Sequence, residues 1–187
     1  MQRRFIEVTE EGEHMLTGHS PLITRLLVNR GITTEEAAER FLKPNYDEHM
    51  HDPLLMHDME KAVLRVFEAI EAKEKIVVYA DYDCDGIPGT VIMHDFFTKI
   101  GYTNFSIYIP DRHEEGYGLN REAIEQFIGN EVKLIFTIDL GTSDHDEIAH
   151  AQAAGIDVIV SDHHLPHETL PQAFAIVHQM KIVFQKE

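Results

Sequence analysis

The chain has 187 residues, enough to bury a real core, and its hydrophobic fraction of 43% fits a globular protein rather than a disordered one. A single cysteine, Cys84, excludes an internal disulfide and any multi-cysteine zinc site. Sixteen basic against 33 acidic residues give a formal charge of −17, which argues against autonomous nucleic-acid binding but suits divalent cations.

No apolar run approaches the length of a membrane span, and the amino terminus MQRRFIEVTEEGEH lacks the apolar core of an export signal, so a cytoplasmic protein with no membrane partner is expected. In chain order, Ser20-Pro21 caps a first short helix that runs toward Gly31, and Thr33-Thr34 opens a second, TEEAAERFL, that stops at Pro44. The polar, proline-broken stretch NYDEHMHDPLLMHD reads as a linker. A helix over about 57–72 carries Met59, Val63, Val66, Phe67 and Ile70 at helical spacing, and that stripe is assigned to the core.

From residue 75 strands and helices alternate, the sequence form of a parallel sheet. KIVVYA, NFSIYIP, VKLIFTI and IDVIV are read as four strands. Helices are expected at about 88–100 and 120–129, and between the last two strands, where Ser143 or Asp144 is the expected cap. The fold class is therefore α/β, a parallel sheet flanked by helices, with a small amino-terminal helical module. The expected division is 1–56 for the module and linker and 57–187 for the α/β domain.

Ligands of an open parallel sheet bind beyond the carboxyl ends of its strands. Asp81-Tyr82-Asp83-Cys84-Asp85-Gly86 follows the first strand, Asp139-Leu140-Gly141-Thr142-Ser143 the third, and Asp162-His163-His164 the fourth. Crowding that many carboxylates costs several kcal/mol per unpaired ion unless cations lie between them. A calcium loop is a poor alternative for the first segment: the twelfth position from Asp81 holds Ile92 instead of a bidentate Glu, and a strand precedes it instead of a helix. Oxygen ligands with one or two imidazoles suit Mn²⁺, or else Mg²⁺. Two such ions about 3.5–4 Å apart activate water for in-line attack on phosphorus.

VVYADYDCDGIPGT, IPDRHEEGYGLN and IFTIDLGTSDHDEIAHAQAAGIDVIVSDHHLPHETLP, with LLVNRGITTEEAAERFL and HDPLLMHDMEKAV upstream, resemble the DHH phosphoesterase superfamily, nearest to its RecJ-type, single-strand-specific 5′→3′ exonucleases of DNA repair and recombination. The resemblance covers about residues 20–177. It implies that Asp83 and Asp85 each ligate one of two metals, that Asp139 bridges them, and that His163 ligates the second. It implies further that His164 contacts the scissile phosphate and that Asp81 and Asp162 support the ligands. Arg112 and the Gly116-Tyr117-Gly118 turn match a loop near the site, which makes Arg112 a phosphate contact, the alternative being a surface ion pair.

Two departures from the family accompany these matches. Tyr79 stands where some members have a metal-binding His, and is read as a strand residue. The fourth acidic motif and the substrate-binding domain that the family places downstream are not in this sequence, so a truncated product or a partner chain that supplies them is expected. Cys84 reads as loop filler, His94 and His150 as helix residues without a role, and His145 and His167 as rim residues with only proximity to recommend them. His51, Asp52, His57 and Asp58 are explained by linker polarity.

The expected activity is metal-dependent hydrolysis of single-stranded DNA. One alternative is hydrolysis of an oligonucleotide, cyclic dinucleotide or pyrophosphate, and the other is a non-catalytic scaffold.

Overall fold

The computed structural model describes residues 16–165 and 169–179, so His167 lies outside the described residues. The chain divides into two units between Asp52 and Pro53, inside the stretch read as a linker.

The first unit contains α1 (Pro21–Val28), α2 (Glu35–Leu42) and a single turn, α3 (Tyr46–His49). Leu16, Leu27 and Ala38 form its small core. Thr34 caps α2 by accepting from the Ala37 amide at 3.2 Å, and Asn45 caps α3 through its side chain. Ser20 occupies the N-cap of α1 but its hydroxyl caps nothing. There the start is set by Pro21, whose fixed φ suits the first helical turn.

The second unit opens with a 3-10 turn at Pro53–Leu55 and α4 (Met59–Glu71), then continues β1 (Lys75–Ala80), α5 (Gly86–Lys99), β2 (Phe105–Tyr108), α6 (Arg121–Gly129), β3 (Val132–Ile138), α7 (His145–Ala153), β4 (Asp157–Ser161) and β5 (Ala175–Val177). All strand pairs are parallel, in the order β2-β1-β3-β4-β5. A fifth strand thus adds to the four expected. Three residues give too short a pattern to separate a buried strand from an apolar loop.

Alternate residues of β1, β3 and β4 feed two cores. Val77, Tyr79, Ile135, Val158 and Val160 pack with residues of α6 and α7, while Ile76, Val78, Leu134 and Ile159 pack with Ala62, Val66, Ala69 and Phe97 of α4 and α5. Covering both faces is what a parallel sheet requires. The small Ala62 and Ala69 let α4 lie close to the sheet. This rotates Val63 and Phe67, assigned above to the core, out to 39% and 51% exposure.

Arg65 is a buried charged residue in this layer. It is 7% exposed and donates to Asp157 at 2.6 Å and Glu74 at 2.7 Å. Arg65→Ala is expected to cost about 2 kcal/mol, because both acids reach solvent and rehydrate in part. Thermal melts should then fall by about 4–8 °C. Arg65→Lys should recover less than half, since one ammonium cannot span both carboxylates in the fork geometry of a guanidinium. An unchanged melting temperature in the Ala variant would refute the bridge as a stabilising element.

Candidate metal and phosphate site

The ladder sets the site. Ala80 pairs with Ile138 and Ile138 with Ser161, so three strands end level with one another. The next residues continue the bonding: the Asp81 amide donates to the Ile138 carbonyl at 3.1 Å, Asp139 to Ser161 at 2.9 Å, and Asp162 to Val177 at 3.3 Å. Three aspartates are thereby held side by side at the carboxyl edge, where β1 and β3 diverge in chain order.

In the first loop, Asp83 Oδ1 accepts from the amides of Asp85 at 2.8 Å and Gly86 at 3.1 Å, so Asp83 caps α5 although Asp85 occupies the N-cap. These two amide donors, with Asp139 nearby, hold the Asp83 carboxyl below its usual range. Gly86 is required there: a Cβ would lie 2.2 Å from the Asp81 carbonyl oxygen. Asp81 itself is buried, with Oδ1 lacking a hydrogen bond among the described residues.

Asp139 is 5% exposed and sits at φ +64°, a left-handed backbone that Asp and Asn tolerate best among residues with a side chain. His163 Nε2 approaches its Oδ1 to 2.9 Å, yet neither Asp139 oxygen has a partner in hydrogen-bond geometry among the described residues. Burial, then the adjacent Asp83 carboxyl, push the Asp139 pKa up to about 6, against the opposing pull of His163 and His164.

Asp162 is the contrasting case, a buried carboxylate with every role filled. Its Oδ1 accepts from the amides of His163 at 2.7 Å and His164 at 3.1 Å and lies 2.8 Å from His164 Nδ1. Oδ2 accepts from the Thr142 amide at 3.0 Å. Burial opposes its ionisation, but the Thr142 side chain and the Thr142 and His164 donors more than offset this and bring the pKa down to about 2. The Thr142 hydroxyl assists by proximity, since it has no hydrogen bond of full geometry among the described residues. In return the Asp162 contact raises His164 above the ordinary imidazole range, favouring an imidazolium.

Two donor groups result, each with ligand atoms within 4.8 Å of one another: Asp81, Asp83 and Asp139, and Asp139, His163 and His164. Asp139 belongs to both. Asp85 lies at the edge, 3.7 Å from His163 Nε2 and largely exposed. Asp85, Asp139, Asp162 and His163 line a cleft of about 350 Å³. The set fits hard divalent cations: oxygen donors dominate, and buried carboxylate oxygens without hydrogen bonds are costly unless a cation meets them.

The Arg112 guanidinium lies over the Tyr82 ring, 5.4 Å from its centroid. This puts it beside the first loop, stacked on an aromatic face. Tyr79 is fully buried, donates to the Gly118 carbonyl and stacks near Tyr108 and Phe127, on the core side of the sheet. Cys84 is exposed, His94 is half exposed, and His150 pairs with Glu125 at 2.6 Å. Asp58, read as linker polarity, anchors β5 by accepting from the Ile176 amide at 3.0 Å.

The Asp144 side chain does not cap α7. It accepts from the Leu119 amide at 3.0 Å, and Gly118, at φ +94°, leaves room for it, since a Cβ there would fall 2.6 Å from Asp144 Oδ1.

Tyr117 has a place that the residue pattern did not give it. Its hydroxyl donates to the Asp139 carbonyl at 3.2 Å and lies 3.1 Å from His164 Nδ1, with the two rings edge to face at 5.6 Å. Burial of the hydroxyl and the neighbouring Asp162 and Asp81 hold its pKa above the usual phenol value, so it remains a donor. Only its Gly-Tyr-Gly setting hinted at a turn near the rim.

Among known proteins, the DHH family, N-terminal domain, matches residues 75–182. The single-stranded-DNA-specific exonuclease RecJ of Bacillus subtilis (strain 168) is 41% identical over 159 residues, covering 85% of this chain and 20% of that protein. RecJ of Escherichia coli (strain K12) is 37% identical over 157 residues, covering 84% and 26%. A crystal structure of exonuclease RecJ bound to manganese is similar at 32% identity with a TM-score of 0.64, over 70% of this chain and 33% of that one. The crystal structure of Thermus thermophilus RecJ in complex with Mn²⁺, at 24% identity and a TM-score of 0.64 over 94% of this chain and 24% of that one, shares the fold. The chain spans about a fifth to a quarter of the length of these curated relatives.

Proposed function

This chain belongs to the DHH family, and from that premise we propose that it carries the metal- and phosphate-binding half of a phosphodiester hydrolase acting on single-stranded DNA, of the 5′→3′ exonuclease type. The supporting observation is Asp139: buried, shared by both donor groups, and with neither carboxylate oxygen hydrogen-bonded among the described residues.

Asp83, Asp85, Asp139 and His163 would hold two divalent cations, Mn²⁺ by preference, with Asp81 behind them or joining the first group. Bound cations would supply positive charge to polarise the scissile phosphate. The protein's own contribution is orientation and charge. Asp162 fixes the His164 ring and favours its protonated form, which suits a contact to a phosphate oxygen. Arg112, held over Tyr82, is the second candidate phosphate contact.

A smaller substrate, such as a dinucleotide or pyrophosphate, is the second reading. The charge of −17 favours it, because a long nucleic acid needs a basic groove. The test is hydrolysis of 5′-labelled single-stranded DNA, a dinucleotide and pyrophosphate, with Mn²⁺ titration in parallel. Expected are Mn²⁺ binding by this chain alone and Mn²⁺-dependent release of mononucleotides from the 5′ end once the other half of the hydrolase is supplied; Mn²⁺ binding with no turnover under that condition would favour a non-catalytic scaffold. Preferential turnover of the dinucleotide or pyrophosphate would replace this reading with the second, and failure to bind Mn²⁺ would end both.

A further inference from the structure

His178 is a buried ionisable side chain with no part in the site described above. It directly follows β5, is 1% exposed, and its Nε2 lies 2.8 Å from the carbonyl oxygen of His164. A carbonyl only accepts, so Nε2 carries the proton and donates. The ladder explains why the two meet. Ser161 pairs with Val177 and the Asp162 amide donates to the Val177 carbonyl, so the residue after β5 comes level with the turn after β4.

The contacts described above hold this turn by its incoming side and by the His164 ring. Asp162 Oδ1 accepts from the amides of His163 and His164 and lies 2.8 Å from His164 Nδ1, which is also 3.1 Å from the Tyr117 hydroxyl. None of these reaches the peptide that leads out of His164. Leu165, next in the chain, is 77% exposed and offers little apolar anchorage. The His164 side chain is itself 45% exposed, so hydrogen bonds rather than close packing must set its direction.

We propose that His178 is a positioning residue for His164: by donating to its carbonyl it fixes the outgoing side of the turn and keeps the imidazole aimed toward the phosphate. The proposal rests on the reading of His164 as a phosphate contact. It also gives β5 a purpose, since this three-residue strand delivers a donor to a residue 14 positions earlier.

Binding of inorganic phosphate to the Mn²⁺-loaded chain, measured well below the melting temperature, tests it. His164→Ala should weaken phosphate about tenfold, the loss of one hydrogen bond between charged groups. Gln and Met are close in length, and only Gln donates. His178→Met should therefore weaken phosphate about fivefold, while His178→Gln should stay within about twofold of the unaltered chain. In both, Mn²⁺ affinity should change less than about threefold, because Asp83, Asp85 and Asp139 lie on other loops and the His163 amide keeps its bond to Asp162. In the His164→Ala background, His178→Met should cost nothing further. A residue that only filled the core would weaken phosphate equally in both backgrounds.

Equal losses in the Met and Gln variants, undiminished phosphate affinity in His178→Met, or a loss that persists without the His164 ring each overturns the positioning role and leaves the phosphodiester reading standing. If His178→Met does not fold, His178→Phe, a buried ring without a donor, takes its place in the same comparison. Phosphate binding that His164→Ala leaves unchanged removes the His164 contact, and the role of His178 with it. If phosphate does not bind while Mn²⁺ does, the wider phosphate reading fails as well.

Discussion

Asp139→Asn should raise the thermal stability of the metal-free chain and at the same time abolish most of its Mn²⁺ binding. The first effect follows from the raised carboxyl pKa, about 6 against an ordinary 3.8. A group that holds its proton more tightly when folded penalises the native state wherever the unfolded chain has already ionised. The penalty is absent below about pH 4, grows between pH 4 and 6, and is complete above 6. Two pKa units correspond to about 3 kcal/mol.

Asn removes the charge without straining the backbone, because it shares the tolerance of Asp for φ +64°. A gain of about 6–12 °C at pH 7.5 that vanishes near pH 4 is the expected melting behaviour. Asp139→Ala would blur this result by adding left-handed strain.

The second effect is larger. Loss of a residue that merely orients a ligand costs about 10–100-fold in metal affinity, so loss of the one carboxylate common to both donor groups should exceed a hundredfold. In the unaltered chain, added Mn²⁺ should raise the melting temperature more at pH 7.5 than at pH 5.5, where protons compete for Asp139. Retained Mn²⁺ stoichiometry in Asp139→Asn, with no stability gain, would remove the basis for a shared ligand.

Much of this architecture was legible in the residue order. Strands β1, β3 and β4 are predominantly apolar and give way to Asp81, Asp139 and Asp162, and a parallel ladder in register converts three such breaks into one rim. Local spacing alone therefore placed the acids together.

What escaped it depends on contacts distant in sequence. Asp144 looked like a helix cap because the cap position is a local property, but the Leu119 amide, 25 residues away, takes its carboxylate. Tyr117 reaches Asp139 and His164 across 22 and 47 residues. Neither contact leaves a mark on its neighbours in the chain. The stripe on α4 failed for another reason: periodicity identifies an apolar face but not its rotation, which Ala62 and Ala69 set by allowing close approach.

Asp162→Ala is expected to be the most destabilising single change at the rim. The carboxylate is the acceptor for three backbone amides, and a fourth donor, the His164 ring, lies at 2.8 Å. Removing it leaves buried donors unsatisfied at about 1–3 kcal/mol each where water cannot replace it. A net loss of about 3–5 kcal/mol, or roughly 10 °C in melting temperature, follows.

The pH dependence has the opposite sign to that of Asp139. With a folded pKa near 2 against an ordinary 3.8, Asp162 contributes its full stabilisation above about pH 4 and loses it as pH falls from 4 through 2. Acid unfolding of the unaltered chain should thus be steep across that interval and visibly shallower in the variant. Asp162→Asn, which keeps the shape but must turn an NH₂ toward one of these donors, should lose about half as much stability. In that variant the His164 imidazole should titrate closer to its ordinary value, since the Asp162 contact is the largest cause of its shift. An NMR titration that leaves His164 unmoved would show that Asp162 shapes the loop but does not set the charge of the imidazole proposed above as a phosphate contact.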